Sequence, residues 1–477
     1  MKLSFPVPRR VDRRVRGRFR PLGLALALVL PGLSAAPPLP LDLRQALHLA
    51  LQHYPTIVAA EQRLAAARAG VALERSRYLP RTDLLWQENR ASDNNVTGLL
   101  LPQGTLPSIS GPVLPDTAAA GSWGSAAGAL FSWEPFDFGV RRADVAAARA
   151  GSRRADALLE LTRLDVAAAA GQAFLIALAA QERVRAAEAD VQRRTVFSNT
   201  VHVLVTNELR PGAEGSRAAA ELAVARTHLA EAQEQAEEAD LQLADSLGMA
   251  GVSLRAIATG VAGLPPVAPS AERDLAAHPL ARAAQASLLQ AEARETAAAH
   301  AYAPHFAVQG AAFGRGSGVR PDGTRSGGVH GLGLQRENWA MGLTVSFPLM
   351  DFAAARARRD SARAARKEQQ ADNALTEQAL TTAQARAATR LRGARAVADN
   401  LPAQLEAARL SEQQARARYQ AGLGTALDVA DAQRLLVEAE TEAVLAHLAV
   451  WRAQLGVALA QGDLRPFLQL LPPEGQP

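Results

Sequence analysis

Residues 339–352 read WAMGLTVSFPLMDF, and this stretch limits the folds that the chain can adopt. Over residues 339–347 large apolar residues alternate with small or polar ones, which is the period-2 pattern of a strand with two different faces. Such a strand either spans a membrane with lipid on one face and water on the other, or lies half-buried in a soluble sandwich. A sandwich needs more strands and a second layer, and most of the remaining chain is helical in pattern. The pattern therefore favours a membrane strand.

A very long helical pattern begins directly after this strand. Residues 353–420 are rich in Ala, Arg, Glu and Leu, as is the uninterrupted stretch of 67 residues over 140–206. At 1.5 Å per residue, a helix of that length is a rod of about 100 Å. A compact domain does not need such a rod, so we expect the rods to pack side by side as in a coiled coil. Pro402 lies inside the second rod and is expected to kink it.

The chain repeats its order of elements. Tyr54-Pro55, followed by Pro80, recurs as His278-Pro279, followed by Pro304, at an offset of 224. A repeat this long indicates duplication of a whole structural unit rather than a solenoid. Each unit is predicted to contain a helix, two strands, a very long helix, a tip and a second helix.

The turn from strand to long helix is also repeated, at a different offset. Pro135-Phe136-Asp137-Phe138 recurs as Pro348-Leu349-Met350-Asp351-Phe352, and the two Asp-Phe pairs are 214 positions apart. We place the ten extra residues of the first copy in the Gly/Pro/Asn/Ser-rich loop 89–121, so that the rods stay in register. Asp137 and Asp351 are interpreted as helix N-caps.

These patterns divide the chain into segments. Strands are predicted over 81–88, 122–133, 305–313 and 339–347, and helices over 42–77, 140–206, 213–248, 272–302, 353–420 and 425–460. The two repeats are expected at 37–248 and 272–465, with a Gly/Pro-rich linker over 249–271, a C-terminal tail over 466–477, and tips at 207–213 and 421–425.

Net charge and the N-terminus bear on the compartment. The chain carries +5 at pH 7 with a pI near 10.1, but residues 1–36 hold eight basic residues and one acid, which leaves −2 for the rest. A nucleic-acid partner is therefore not expected. The basic head, the apolar stretch Leu22–Leu33 and then Ser34-Ala35-Ala36 have the order of a secretory signal peptide, so export is predicted. Pro37, directly after that site, is unfavourable for signal peptidase.

The residue types of catalysis and metal binding form no recognisable site. The chain has no cysteine, which excludes disulfides and thiolate metal sites. Its nine histidines form no His-x-x-x-His pair and no Ser/His/Asp grouping stands out, so we predict no enzyme activity, no cofactor and no metal. The stretch Gly314-Arg315-Gly316-Ser317-Gly318 resembles a phosphate loop but lacks the lysine and the following helix, and it is interpreted as a hairpin loop.

Four strands per chain cannot close a membrane barrel, since the smallest closed barrels have eight. After the leader no uncharged apolar run reaches the length of a membrane helix, so strands are the predicted spanning elements. Oligomerisation must supply the missing strands, and long amphipathic rods on the same chain would oligomerise with them. The sequence therefore predicts an α+β membrane protein in which an oligomeric barrel continues into a bundle of long helices.

The motifs in this order resemble those of the TolC-like outer-membrane channel family. They are Leu43-Arg44-Gln45-Ala46-Leu47 through Tyr54-Pro55, Tyr78-Leu79-Pro80, the turns at Asp137-Phe138 and Asp351-Phe352, and the stretch Arg418–Ala432. The resemblance runs from about residue 41 to residue 465. It implies a homotrimer in which three sets of four strands form a 12-stranded transmembrane β-barrel, continued by a long periplasmic α-helical barrel of coiled coils.

The same resemblance implies a function in the outer membrane. The chain would be the exit channel of a tripartite efflux system, passively conducting small molecules such as drugs or metal ions. The implied partners are a periplasmic adaptor protein, an inner-membrane pump of RND type or ABC type, and outer-membrane lipid. Two alternatives stay open: the duct of a type I protein secretion system, and a soluble periplasmic coiled-coil adaptor or scaffold.

The resemblance also assigns residues to a periplasmic gate. Asp428 and Asp431, three positions apart on one helix face, correspond to the family's acidic rings, and such rings attract cations. Tyr419 corresponds to the gating tyrosine, and Glu214, at offset 214 from Asp428, corresponds to the acid of the first repeat that gating residues bind. The alternative interpretations are a charge preference at a helix start for the two aspartates, and plain interhelical packing for Tyr419.

Two tip positions depart from the family pattern. Gly424 stands where the family has its gating arginine, and Glu208 stands where the family usually has glycine. We expect Arg210, at the equivalent position of the first tip, or simple packing to replace the missing arginine. The adaptor is expected to contact the tips, residues 208–214 and 421–427, through Leu209, Pro211, Gly212, Gly422, Leu423, Gly424 and Thr425.

Overall fold

The computed structural model describes residues 38–92, 121–261, 263–266, 274–320 and 324–471. The predicted signal peptide, residues 1–36, lies outside the described residues, as do most of the loop 89–121 and the end of the tail from residue 472. The elements below are those of the described part.

The described part contains six strands and eight α-helices. The strands are β1 (Leu39–Leu41), β2 (Arg81–Ser92), β3 (Gly121–Phe136), β4 (Leu254–Ala256), β5 (His305–Ser317) and β6 (Arg336–Ser346). The helices are α1 (Leu43–His53), α2 (Pro55–Ser76), α3 (Val140–Thr206), α4 (Gly212–Ser246), α5 (Pro279–His300), α6 (Phe352–Gln420), α7 (Ala426–Ala460) and α8 (Arg465–Leu468). Both halves of the chain contain two long strands, then a helix of 67 or 69 residues, a turn, and a helix of 35 residues.

Several elements differ from the sequence-based expectation. The helix expected over 42–77 is two helices, because Tyr54 has an extended backbone (φ −67°, ψ 125°) before Pro55; proline disfavours a helical conformation in the residue before it. β2, β3 and β5 have 12, 16 and 13 residues and are longer than predicted, since the hairpin arms extend into segments whose composition suggested loops. The linker over 249–271 contains β4, which pairs in parallel with β1. α6 continues through Pro402 without ending there.

The four long strands form one antiparallel sheet in the order β2-β3-β5-β6. The register joins Leu84 to Ala129, Ala129 to Ala312, and Ala312 to Trp339. Because strand residues alternate between faces, this row shares one face with Trp86, Phe131, Trp133, Val308, Met341 and Leu343, and towards one end with Glu88, Arg90 and Glu337. The other face carries Asp83, Gln87, Ser132, Gln309, Arg315, Asn338 and Thr344.

The apolar face of this sheet is uncovered in the single chain. Leu84 is 84% exposed, Trp339 is 82% exposed and Met341 is 76% exposed. Water is a poor environment for a continuous row of such side chains. The alternation read from residues 339–347 therefore belongs to a sheet with one apolar and one polar face.

The helices continue the lateral order of the strands. Next to the sheet, α2, α3, α5 and α6 pack side by side in that order, and further along the rods the order is α4, α3, α7 and α6. One edge of the chain therefore consists of β2, α2 and α4, which we call the first edge. The second edge consists of β6 and α6. Within the described residues, the outer sides of β2 and β6 have no strand partner.

The main apolar core lies where α1, α3, α4 and α7 meet, between the sheet and the tips. Its largest fully buried side chains include Trp451 and Phe174, and Trp451 donates its indole N–H to the carbonyl of Gly263 at 2.7 Å. α3 and α7 each contain a window long and apolar enough to cross a membrane by length and composition. Since 56% and 39% of these windows are buried inside the chain, we assign their apolar character to helix packing.

A buried ion pair joins β3 to α3. The carboxylate of Asp137 accepts hydrogen bonds from the backbone N–H groups of Gly139 (3.1 Å) and Arg141 (2.7 Å), and from the Arg141 guanidinium (2.7 Å). Asp137 is 8% exposed and Arg141 is 4% exposed. Burial disfavours the charged carboxylate, but the hydrogen bonds from Arg141 and Gly139 outweigh burial and hold the pKa of Asp137 below its ordinary value.

Arg141 also ties the hairpin to the preceding helix. Its guanidinium donates to the carbonyls of Arg77 (3.0 Å) and Glu134, and it lies 4.9 Å from the ring centre of Tyr78. The corresponding Asp351 precedes α6 directly, yet its side chain makes no capping bond. The N-cap interpretation is therefore wrong for the side chain of Asp351, whereas Asp137 bonds to the first turn of α3 from two residues before its N-cap, Gly139.

Candidate functional site

The two turns at the ends of the long helices have the same backbone geometry. Glu208 after α3 and Gly422 after α6 both adopt the left-handed conformation, with φ of 57° and 77°. In each turn this residue donates its N–H to the carbonyl three residues earlier, from Glu208 to Val205 and from Gly422 to Tyr419, both at 3.0 Å. The next N–H bonds to the carbonyl five residues earlier, at 2.9 and 2.8 Å. This is the Schellman termination, which favours glycine at the left-handed position.

Replacing Glu208 by glycine is expected to stabilise the first tip by about 1 kcal/mol. A left-handed residue with a Cβ atom costs about 1–2 kcal/mol, and the freedom of glycine in the unfolded chain takes back part of the gain. Hydrogen exchange of the amides around residue 208 in the purified protein measures the effect, which should appear as slower exchange. Gly422→Ala is the matched control and should speed exchange at the second tip. Unchanged exchange in Glu208→Gly would contradict the assignment of strain to this residue.

Arg210 joins the two tips within one chain. Its guanidinium donates to the carbonyl oxygens of Tyr419 (2.9 Å) and Gly424 (3.4 Å). The same group lies 4.6 Å from the ring centre of Tyr419 and 3.8 Å from the carboxylate of Glu214. A cation from the first tip therefore reaches the backbone of the position where the resemblance would place an arginine. That Arg210 replaces the latch of a closed gate stays a prediction.

Tyr419 is buried at the centre of the contact between the tips. It is 2% exposed, and its hydroxyl donates a hydrogen bond to Glu214 at 3.1 Å. Its ring centre lies 5.3 Å from that of Phe197. Burial, followed by the interaction with the carboxylate of Glu214, raises the pKa of Tyr419 to about 12. The buried side chains around it are Val201, Ala218, Ala426 and Val429.

Alkaline titration should distinguish Tyr419 from the other three tyrosines of the chain. Because its pKa in the folded protein is raised above the ordinary value of 10, the stabilisation by the neutral phenol is complete below pH 10 and is lost as the pH rises through about 12. We expect the ultraviolet absorbance of tyrosinate to show one group ionising near pH 12, absent from Tyr419→Phe. Ionisation of every tyrosine near pH 10 in the folded protein would contradict the buried hydrogen bond.

Asp428 and Asp431 lie on the exposed side of the first turns of α7. Asp428 and Thr425 form a capping box, in which the carboxylate of Asp428 accepts the N–H of Thr425 (2.8 Å) and the hydroxyl of Thr425 accepts the N–H of Asp428 (3.3 Å). The backbone hydrogen bond from Thr425 is the main cause that lowers the pKa of Asp428. Asp431 makes no hydrogen bond or ion pair with the described residues. The helix-start interpretation thus applies to Asp428, and the pore-lining role of both residues stays a prediction.

The remaining tip residues form the turn itself. Leu209 is 68% exposed and Leu423 is 72% exposed, so each tip ends in an exposed leucine beside its left-handed residue. Pro211 is the N-cap of α4 and Gly212 is its first residue. An apolar side chain at each tip suits a protein partner, but the adaptor contact stays a prediction.

A charged network behind the tips was not anticipated. On α3, Arg194 is 8% exposed and pairs with Asp190 at 2.9 Å and with Glu221 of α4 at 2.6 Å. Arg193 reaches Glu440 of α7 at 3.0 Å. The spacing of four between Asp190 and Arg194 is a signal that could have found the first pair. The partners on α4 and α7 depend on how the rods pack, and local spacing does not give this.

The groups at the tips are suited to holding two rods together rather than to a reaction. Among the described residues, no cluster of three or more His, Asp or Glu side chains is placed to hold a metal ion. The contacts here are a cation on carbonyl oxygens, a buried phenol on a carboxylate, and small apolar side chains. Such an arrangement can be broken and remade as the rods move apart.

The chain is similar to known proteins along most of its length. The family model described as outer membrane efflux protein matches residues 46–249 and 272–463. Among solved structures, the chain resembles the open state of the MtrE outer membrane channel of Neisseria gonorrhoeae, with 22% identity, 88% of this chain and 89% of that chain covered, and a TM-score of 0.65.

Two further solved structures show the same likeness. VceC of Vibrio cholerae has 19% identity, coverage of 88% and 96%, and a TM-score of 0.69. CusC has 16% identity, coverage of 88% and 92%, and a TM-score of 0.72. No curated protein sequence matches the chain. At these identities the structural likeness bears on the fold.

Proposed function

Because the chain belongs to the outer membrane efflux protein family, we propose that it is the exit duct of a tripartite efflux system. Three copies form a closed ring, with a 12-stranded barrel in the outer membrane and the rods extending into the periplasm. A periplasmic adaptor docks at the tips, and an inner-membrane pump of RND or ABC type drives transport. The duct itself conducts passively, and its cargo is small molecules such as drugs or metal ions.

The observation that carries this proposal is the pair of uncovered edges. β2 and β6 leave backbone N–H and C=O groups unpaired along strands of 12 and 11 residues. In lipid each such group costs several kcal/mol, so a sheet with open edges is not stable there. Pairing β6 of one copy with β2 of the next satisfies both edges, and a ring of copies leaves no edge at all.

The helices support the same closure. α6 lies on the second edge along its length, while α2 and α4 lie on the first. A ring that pairs the strands therefore also places α6 of one copy beside α2 and α4 of the next. The long helices of 67 and 69 residues, each about 100 Å long, give the two halves walls of matched height. We interpret the repeated order of elements as an internal duplication.

The alternative functions fit these observations less well. A soluble adaptor or scaffold would leave Leu84, Trp339 and Met341, which are 84%, 82% and 76% exposed, in contact with water. A type I secretion duct shares the proposed architecture, but the description of the matched family favours efflux.

The proposal is tested in cells that lack their own exit duct. Expression of the full chain together with a cognate pump and adaptor should restore tolerance to toxic small molecules. The protein should sediment with outer membranes and migrate as an oligomer in unheated SDS gels, as a closed barrel would. Recovery as a soluble monomer from the periplasm would sink the proposal. Restored secretion of a large protein without restored tolerance would favour the type I alternative.

A further inference from the structure

The acidic half of α4 presents one uncovered stripe. Between residues 228 and 246 the helix has six acidic residues and no lysine or arginine. Four of these acids share a 3-4-3-4 spacing with Leu241, which puts them on one helix face. The α4 residues buried in the core with α3, such as Ala236 and Leu243, lie on the opposite face. The stripe is exposed, and its acids make no ion pair with the described residues: Glu231, Glu234, Glu238, Leu241 and Asp245.

α6 carries the opposite charge on the second edge. Between residues 378 and 398 it has four arginines and no acidic residue. Arg386, Arg390 and Arg392 are exposed, and Arg395 is half-buried and donates to the carbonyl of Pro266. None of the four pairs with a carboxylate in the described part of the chain. A band of positive charge on one edge therefore matches a band of negative charge on the other.

The two bands lie at similar heights above the tips. α4 begins at Gly212 and α6 ends at Gln420, and the bonds from Arg210 hold these two ends together. The acidic stripe lies 19–33 residues from its end, and the arginines lie 25–34 residues from theirs. These distances correspond to about 28–50 Å and about 38–51 Å along the rods. A rotation axis parallel to the rods keeps heights unchanged, so the bands meet when α6 of one copy lies beside α4 of the next.

Two positions nearer the tips follow the same order. Arg226 on α4 and Glu406 on α6 are both exposed, carry opposite charges, and lie 14 residues from their respective ends. Below them, Val224 is 48% exposed and Leu410 is 50% exposed, at 12 and 10 residues. A slide of two heptads, about 21 Å, would instead bring Arg226 level with Arg392. The pattern therefore penalises a shifted pairing as well as favouring the aligned one.

We infer that these charges form a register code between copies of this chain. The partner of the α4 stripe is α6 of a second copy, and the order of an apolar pair, an Arg226–Glu406 pair and an acid-to-arginine band fixes the height at which they meet. The inference rests on the proposed ring and adds the contact that aligns its members. Exposed ion pairs are individually weak, so the band acts through several pairs repeated at each contact between copies.

Cross-linking tests which heights meet, and the absence of cysteine from the chain makes the result unambiguous. Thr227→Cys combined with Ala407→Cys places thiols 15 and 13 residues from the tip ends, on exposed positions of the two edges. The control pair combines Thr227→Cys with Arg392→Cys, where the heights differ by 13 residues, about 20 Å. With a short bis-maleimide, the first pair should give covalent trimers and the control pair should give monomers on denaturing gels.

Charge reversal tests the code itself in the full-length protein. Glu234→Lys with Glu238→Lys should lower the fraction of SDS-resistant oligomer about tenfold, because like charges then face each other at every contact. Adding Arg390→Glu and Arg392→Glu should recover most of that fraction. Glu188→Lys, an exposed reversal on α3 between the two edges, is the matched control and should leave the oligomer unchanged.

The outcomes separate this inference from the proposed function. A wild-type oligomer that gives no Thr227/Ala407 cross-link, or whose loss on reversal is not recovered by the swap, would overturn the register code and leave the duct intact. A wild-type protein that is monomeric in membranes would overturn both. Cross-linking of the first pair together with recovery by the swap supports the code.

Discussion

Arg210→Ala is expected to raise the resting conductance of the purified channel in planar bilayers by about tenfold or more. Arg210 donates two hydrogen bonds across the tips and lies over the Tyr419 ring, and its partners are carbonyls that it alone reaches from the first tip. Hydrogen bonds to charged groups contribute about 1.5–3 kcal/mol, and Arg210 is only half-buried, so we take the lower part of that range. A change of about 1.4 kcal/mol shifts a two-state equilibrium tenfold.

Two further variants make this result specific. Arg217→Ala removes an exposed α4 arginine that has no partner among the described residues, and it should leave the conductance unchanged. Gly424→Arg in the Arg210→Ala background should restore closure, because a side chain fits there: the nearest atoms to a Cβ on Gly424 lie 3.4–3.5 Å away. An arginine at 424 that changes nothing in either background would count against a missing latch.

Arg141→Ala is expected to destabilise the folded oligomer by about 3–5 kcal/mol, the largest stability effect that we expect from a single change. The variant removes one member of a buried ion pair and leaves the Asp137 carboxylate without its main partner. It also frees the carbonyls of Arg77 and Glu134. Thermal unfolding of the detergent-solubilised protein, or the temperature at which the SDS-resistant oligomer dissociates, measures the loss.

The pH dependence should change sign in that variant. In the wild type the pKa of Asp137 is held below its ordinary value, so its stabilisation is present above pH 3.8 and is lost as the pH falls through the lower, folded-state pKa. Without Arg141, protonation of the buried carboxylate should instead relieve part of the damage. Asp137→Asn with Arg141→Met should recover more than half of the lost stability, and the exposed neighbour Arg142→Ala is the control. Equal stability of the single and double variants would rule out an uncompensated charge as the cause.

Local patterns were sufficient for the long elements. The bounds of α3, Val140–Thr206, coincide with the range predicted from composition and periodicity, because both depend on neighbours in sequence. The alternation in residues 339–347 likewise needs only the period of a strand. The break at Tyr54 was missed, although Pro55 gave a signal for it, because the helical pattern continues on both sides.

The contacts of the candidate gate could be predicted only in part. The offset of 214 placed Glu214 and Tyr419 at the corresponding tips, and their side chains meet at 3.1 Å. Phe197 on α3 was missed, because no local pattern tells which residue of a 67-residue rod faces the tyrosine. The same reason explains Glu221 and Glu440, whose arginine partners lie on another rod. Side-chain neighbours across rods follow from packing and not from spacing along one helix.

The two uncovered edges have a genetic consequence. Every copy in a ring contributes its first edge to one neighbour and its second edge to the other, so no copy is independent of the rest. In a cell that makes wild-type and variant chains in equal amounts, random mixing leaves about one in eight trimers wholly wild type. A tip variant that assembles but cannot close should therefore leak dominantly. A variant that cannot pair at its edges should be left out of the ring and behave as recessive.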